Sequence, residues 1–312
     1  MHILLGTSVS LAVFGLVYTC ISLVVCCGWK FVAMACRRRT PSFSAAVLFT
    51  LRVLPFFAAA AITLGVALPS FLLLEPQASN EPVGIAPFAL GCFCLTLLIV
   101  GTARAVRSQR RTSRAVSVWL RHAVTLPVGE NVLLHEACDV APALVVAGVR
   151  APKVIASRTV LAALSQDELR TAIRHEVAHV RRHDNFKKLL FRLCVFFGMS
   201  GLEEAWAHAA ELAADDDAVS NERDALDLAA ALIKVSRVAS QPTPELATGL
   251  VASQSLALST RVQRLLAWKT APAQASALRY VVPPVMLIAL GLLLSYSAAL
   301  NQMHVFTEWL VR

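Results

Sequence analysis

Residues 165–182 read SQDELRTAIRHEVAHVRR, a helix start followed by two histidines that stand four residues apart. Ser165 and Glu168 form a capping box, in which the serine oxygen accepts from the third helical N–H and the glutamate reaches back to the cap. The apolar residues that follow recur at helical spacing. The sequence therefore predicts a helix that begins at Ser165 and ends near Arg182.

The pentapeptide His175-Glu176-Val177-Ala178-His179 lies on this predicted helix. Because residues four apart share a helical face, the imidazoles of His175 and His179 can point at one metal ion. Glu176 is rotated away from that line, so its carboxylate can reach a water at the metal instead. The spacing indicates a zinc site with Glu176 as general base. The alternative is a pair of surface histidines that happen to flank a glutamate.

A catalytic zinc takes three protein ligands and keeps one position open, so a third ligand is needed. Glu211 is the candidate, because it lies on a second predicted helix, at about 202–219, that can turn back antiparallel to the first. Asp215 follows one turn later and could hold a ligand imidazole by its second nitrogen. The alternative for both is an ordinary acidic helix face. His183 stands four residues beyond His179, but helical drift carries it about 12 Å from the first histidine, too far for a shared ion.

The composition predicts a membrane protein. The chain has 312 residues, of which 57% are hydrophobic and only 16% charged, and this is more apolar surface than one soluble core can bury. Apolar stretches of about 20 residues without charges predict transmembrane helices. Four such stretches occur, at about 3–28, 53–74, 85–103 and 281–300. The first of these is interpreted as an anchor, since it lacks the basic start and cleavage pattern of a signal peptide.

These spans divide the chain into 1–103 with three transmembrane helices, a domain at 104–279, and 280–312 with the fourth helix and a short external tail. Lysines and arginines cluster after the first and third spans, whereas the loop between the second and third contains Glu75 and Glu81 and no basic residue. Because basic flanks stay on the cytoplasmic side, the domain is predicted to be cytoplasmic.

The net charge of +9 comes largely from these clusters, so contact with membrane lipid is expected and direct nucleic-acid binding is not. The eight cysteines include no CxxC pair and mostly lie in apolar stretches, which favours buried thiols over disulfides or thiolate metal sites.

Within the domain, the apolar run 143–146, the turn 148–152 and the pair Val154-Ile155 predict a short β-hairpin. The apolar run 189–199 is too short to span a bilayer and belongs either to the core or to the membrane interface. A further helix, with an architectural role, is predicted to begin at Arg261.

The chain resembles the BlaR/MecR family of integral-membrane gluzincin peptidases, antibiotic sensors that cleave cytoplasmic repressors. By this resemblance, His175, His179 and Glu211 bind one zinc ion and Glu176 is the general base. Asp184 and Asp215 would be supporting acids, and the edge at Val154 and Ile155 would receive an extended substrate by strand addition. The similarity covers about 143–219 and rests on Gly148, Pro152-Lys153-Val154-Ile155, Leu164, Glu168-Leu169, the pentapeptide, Arg182-His183-Asp184, Glu211, Asp215-Asp216 and Val219.

The resemblance implies a mainly α fold, with four transmembrane helices and a cytoplasmic gluzincin-type α+β metallopeptidase domain inserted between the third and fourth. It also implies a location in the bacterial inner (plasma) membrane. Those receptors carry a penicillin-binding sensor domain after the last span, whereas only about a dozen residues follow Leu300 here. We therefore expect a short form without direct β-lactam sensing.

The function predicted from the sequence is a membrane-anchored zinc metalloendopeptidase that acts in signal-dependent regulatory proteolysis of a cytoplasmic transcriptional repressor. One alternative is a quality-control or CAAX-type membrane metalloprotease, which uses the same residues on other substrates. The other is a non-catalytic signal transducer in which zinc stabilises the domain, although a purely structural site needs no base beside it.

Overall fold

The computed structural model describes residues 2–74, 84–128, 132–137, 141–238, 244–249, 255–268 and 296–311. The strands are β1 Val124–Val128, β2 Val132–Ala137, β3 Leu144–Ala147, β4 Lys153–Ser157 and β5 Ala247–Gly249. The helices are α1 His2–Cys36, α2 Pro41–Ile62, α3 Leu68–Leu74, α4 Ile85–Trp119, α5 Arg158–Ala163, α6 Gln166–Arg181, α7 Asp184–Leu193, α8 Ser200–Ala218, α9 Glu222–Val238, α10 Ser255–Leu266 and α11 Tyr296–Val311.

Three helices of the described part are long and apolar enough to cross a membrane, namely Gly6–Cys36, Pro41–Leu74 and Ile85–Trp119. The second is α2 and α3 joined through a π-helical turn at Thr63–Ala67. The first predicted span falls inside α1, and the second and third fall inside Pro41–Leu74 and Ile85–Trp119. Each helix is longer than its predicted span, and α4 continues through the basic stretch that follows residue 103.

The predicted fourth span, at about 281–300, lies outside the described residues up to residue 295, and only α11 of the 280–312 segment is described. The loop with Glu75 and Glu81 is likewise outside the described residues.

The sheet is mixed, with strand order β1-β2-β4-β3-β5. The predicted hairpin is confirmed as β3 and β4, which pair antiparallel around a turn where Gly148 has a φ of 104°. A side chain at that φ would be strained, so glycine suits the position. However, β4 also pairs parallel with β2, so both of its sides are occupied. The prediction that Val154 and Ile155 form a substrate-binding edge is therefore wrong, because their strand is central and both are buried.

Helices α6 and α9 pack on the sheet through the main apolar cluster of the domain, to which α6 contributes Ala172 and Ile173. The first half of α8 belongs to a second apolar cluster, which it shares with α1 and α2. That cluster consists of Val25, Ala45, Leu48, Val53, Phe191, Met199, Leu202, Trp206, Ala209 and Ala210. Helix α8 thus lies between α6 and the candidate membrane helix α2.

The start of α6 has the predicted capping box. The Glu168 N–H donates to Ser165 Oγ at 3.3 Å, and the Ser165 N–H donates to Glu168 Oε2 at 2.8 Å. The Lys234 ammonium on α9 donates to the same carboxylate oxygen at 2.7 Å. The start of the histidine-bearing helix is therefore fixed both locally and through α9.

Replacing Glu168 with Gln is expected to reduce the dependence of thermal stability on pH below neutrality. Burial raises the pKa of Glu168, but the hydrogen bonds from Lys234 and Ser165 outweigh it, so the folded pKa lies below its usual 4.5. The stabilisation is therefore complete above the unfolded pKa and is lost as pH falls through the folded pKa. Unfolding midpoints between pH 7 and pH 3 test this. The exposed Glu222, changed to Gln, is the control, because it removes one carboxylate without removing the bonds to Lys234 and Ser165.

Candidate metal centre

Helices α6 and α8 bring the three predicted ligands together. His175 and His179 are buried one turn apart on α6, and their Nε2 atoms are 3.2 Å apart. Glu211 on α8 places Oε2 3.5 Å from His175 Nε2 and Oε1 3.6 Å from His179 Nε2. One ligand atom from each residue lies within 4.8 Å of the others. The described residues therefore form a compact His, His, Glu cluster.

The cluster fits a zinc ion. Zinc binds histidine nitrogen and carboxylate oxygen at about 2.0 to 2.1 Å, which at tetrahedral angles separates neighbouring ligand atoms by roughly 3.3 Å. The two histidine nitrogens are 3.2 Å apart, and each has a different Glu211 oxygen at 3.5 or 3.6 Å, so both oxygens face the same point at close to this spacing. Two imidazole nitrogens and a carboxylate are also a ligand set that zinc takes at catalytic sites. We conclude that His175, His179 and Glu211 could hold one zinc ion.

Carboxylates hold the far side of both imidazole rings. His179 Nδ1 is 2.7 Å from Asp184 Oδ2, and His175 Nδ1 is 3.0 Å from Asp215 Oδ1. Such partners fix the orientation of a ligand histidine and raise its basicity. The structure thus places Asp184 and Asp215 where the sequence and the resemblance put supporting acids. His183 has a left-handed backbone and is exposed, away from the cluster.

Arg261 is the site residue that the sequence interpretation missed. From α10 it donates to both oxygens of Asp215, at 2.6 and 2.8 Å, and its Nη1 lies 3.0 Å from Glu211 Oε2. Its side chain is only 4% exposed. An arginine on a helix that otherwise turns apolar residues inward signals a buried partner, but the sequence does not identify that partner. Arg264, one turn later, forms an ion pair with Asp216, whose side chain is 19% exposed.

Glu176 is fully buried, and neither of its oxygens makes a hydrogen bond of good geometry to the described residues. Burial raises its pKa to about 8; the charge of Glu211 acts in the same direction, whereas His175, Arg261 and the Val146 backbone lower it. A cation in the cluster would favour the ionised form. In that ionised form, a buried carboxylate whose oxygens make no hydrogen bond of good geometry is suited to accept a proton.

The other carboxylates of the site are held ionised. Burial raises the pKa of Glu211, but Arg261 and the two histidines outweigh it and bring the pKa down to about 2. Burial also raises the pKa of Asp215, but its neighbours, again mainly Arg261, outweigh burial and lower the pKa.

Burial lowers the pKa of His175, yet hydrogen bonds to Asp215 and Glu211 raise it to about 9. Metal binding at His175 would therefore release a proton.

Residues 143–297 match the family model described as peptidase family M48. No curated protein and no solved structure matches the chain significantly. The matched residues include both histidines of α6, Glu176, the acids of α8 and Arg261. The match does not test whether the chain is of the BlaR/MecR type or a short form, so both stay predictions. Because the match covers the whole candidate centre, it supports the assignment of this chain to the M48 metallopeptidase family.

Proposed function

We propose that this protein is a membrane-anchored zinc metalloendopeptidase that hydrolyses peptide bonds of a protein substrate. The observation that carries the proposal is the convergence of His175, His179 and Glu211 beside the buried Glu176, whose oxygens make no hydrogen bond of good geometry to the described residues. A structural zinc has a closed ligand set and needs no base. The described residues offer three ligands and a base, which favours an enzyme over a zinc-stabilised signal transducer.

In the mechanism, zinc when bound would polarise the scissile carbonyl and promote ionisation of the attacking water. Glu176 accepts the proton from that water and delivers it to the leaving amine. Asp184 and Asp215 keep the two imidazoles aimed at the centre. Arg261 balances the charges of Glu211 and Asp215, which would otherwise be two buried anions close together.

Substrate pairing cannot use β4, because β2 and β3 occupy both of its sides. The short strand β5 is not an open edge either, since Ala247 and Thr248 are buried and the Ala247 carbonyl accepts from the Lys188 ammonium at 2.7 Å. We therefore propose no strand of the described sheet as the substrate-binding edge.

For the cellular role, we propose regulatory cleavage of a cytoplasmic repressor by a domain on the cytoplasmic side of a bacterial inner membrane. The support is the distribution of basic residues and the resemblance to repressor-cleaving receptors. A quality-control or CAAX-type protease would have the same centre. The two roles differ in substrate range: a regulatory enzyme cuts one site in one protein, whereas a quality-control enzyme degrades unfolded membrane proteins broadly.

The test is zinc content and proteolysis of the full chain in nanodiscs. We expect close to one zinc per chain, and cleavage of casein or of a repressor encoded beside the gene that a chelator stops and added zinc restores. His179→Ala should lose both zinc and cleavage. His183→Asn is the matched control and should keep both, because His183 lies outside the cluster and asparagine tolerates its left-handed backbone. Wild-type protein without bound zinc would refute the proposal.

A further inference from the structure

The connection between α7 and α8, residues 194–199, packs among the candidate membrane helices. The Tyr18 hydroxyl of α1 donates to the Val195 carbonyl at 2.8 Å. On α4, a side chain at Gly101 would overlap the Leu193 carbonyl oxygen, so the two backbones are in direct contact there. This connection joins the helix of Asp184 to the helix of Glu211, and its position therefore bears on the metal centre.

Arg52 of α2 is the main polar anchor of this connection. It is 3% exposed and donates from Nε and Nη2 to Glu203 Oε1 at 2.9 and 2.8 Å. Nη2 also donates to the carbonyls of Cys194, at 2.7 Å, and Phe191, at 3.3 Å. The Arg52 side chain thus donates hydrogen bonds to carbonyls at the end of α7 and to a carboxylate in the first turns of α8. Carbonyls that are buried without a donor are costly, so this arrangement depends on the arginine.

Helix α8 contributes to two apolar clusters. Ala218, at its end, belongs to the cluster of α6 and the sheet, whereas its first half packs on α2 through Leu202 and Trp206. Glu211 lies between these two regions of α8, so its position relative to the histidines depends in part on how α8 is held against α2. Glu203 lies eight residues before Glu211, about 12 Å along the same helix. A rigid helix transmits a shift at Glu203 to the ligand.

We propose that Arg52 is a positioning residue for the metal centre: through Glu203 and the α7–α8 connection it holds α8 so that Glu211 faces His175 and His179. The proposal rests on the zinc site proposed above. In this proposal the second candidate membrane helix, α2, supports the zinc site indirectly, through its contacts with α8. The function of the ion pair is then to set metal affinity as well as stability.

The experiment compares the zinc affinity of the full chain in nanodiscs, by competition with a chromogenic chelator, at a temperature well below each unfolding midpoint. Arg52→Gln is expected to weaken zinc binding at least about tenfold and to change the visible absorption of the cobalt-substituted protein. Glu203→Gln should have a smaller effect in the same direction, because Arg52 keeps its bonds to the carbonyls. Arg223→Gln is the matched control, since Arg223 forms an ion pair with Asp167 at 2.8 Å that is largely exposed.

The outcomes separate this inference from the function it rests on. Wild-type protein that binds no zinc would refute the proposed function. If wild-type protein binds zinc and Arg52→Gln binds it equally well with the same cobalt spectrum, the positioning role is refuted, even if the variant unfolds at a lower temperature. Weaker zinc binding and an altered spectrum in Arg52→Gln, with Arg223→Gln like wild type, would support it.

Discussion

Replacing Glu176 with Gln is expected to lower the rate of peptide hydrolysis by about 10²- to 10⁴-fold, the range that a general base contributes. Glutamine has the same size but cannot accept the proton of the attacking water. Zinc content should stay near the wild-type level, because Glu176 is not one of the three converging ligand residues. Initial rates of casein cleavage and zinc content, measured on the same preparations, test both parts.

Two results would contradict this assignment in different ways. A rate equal to that of wild type would show that another group takes the proton. Loss of zinc from Glu176→Gln would instead place Glu176 in the ligand set. The exposed Glu222 of α9, changed to Gln, is the control, and we expect both its rate and its zinc content to be unchanged.

The part of the site on α6 could be predicted because it depends on local rules. The capping box fixes where the helix begins, and the helical period then puts His175 and His179 on one face with Glu176 beside them. The choice of Glu211 needed one further step, that a catalytic zinc requires a third ligand from elsewhere in the chain. The structure brings all three ligands together.

The arginine contacts could not be predicted, because they join residues that are far apart in the sequence. Arg52 and Glu203 are 151 residues apart, and Arg261 and Asp215 are 46 apart. A helical pattern shows which residues face inward but not which neighbour they meet. The same limit applies to the edge role that the resemblance implied for Val154, since an apolar run and a turn predict a strand without telling how many partners it has.

Arg261 carries the second large prediction. Arg261→Gln is expected to destabilise the zinc-free protein by about 3 kcal/mol or more, because removing one member of a buried ion pair leaves the others uncompensated. Here the buried Asp215 and the largely covered Glu211, 14% exposed, would lose their common partner. Thermal unfolding of the zinc-free and zinc-loaded full chain, for wild type and variant, measures the effect.

Zinc should restore part of the stability that Arg261→Gln loses. The ion would put positive charge beside Glu211 directly, and beside Asp215 through the His175 imidazole. The gain in unfolding temperature on adding zinc should therefore be larger in the variant than in wild type, since zinc stabilises the folded form it binds. Arg264→Gln, on the same helix, is the control: its guanidinium is 36% exposed, so the loss should be at most about 1 kcal/mol, with an ordinary response to zinc. Equal zinc responses in wild type and Arg261→Gln would mean that Arg261 and the metal do not act on the same two carboxylates.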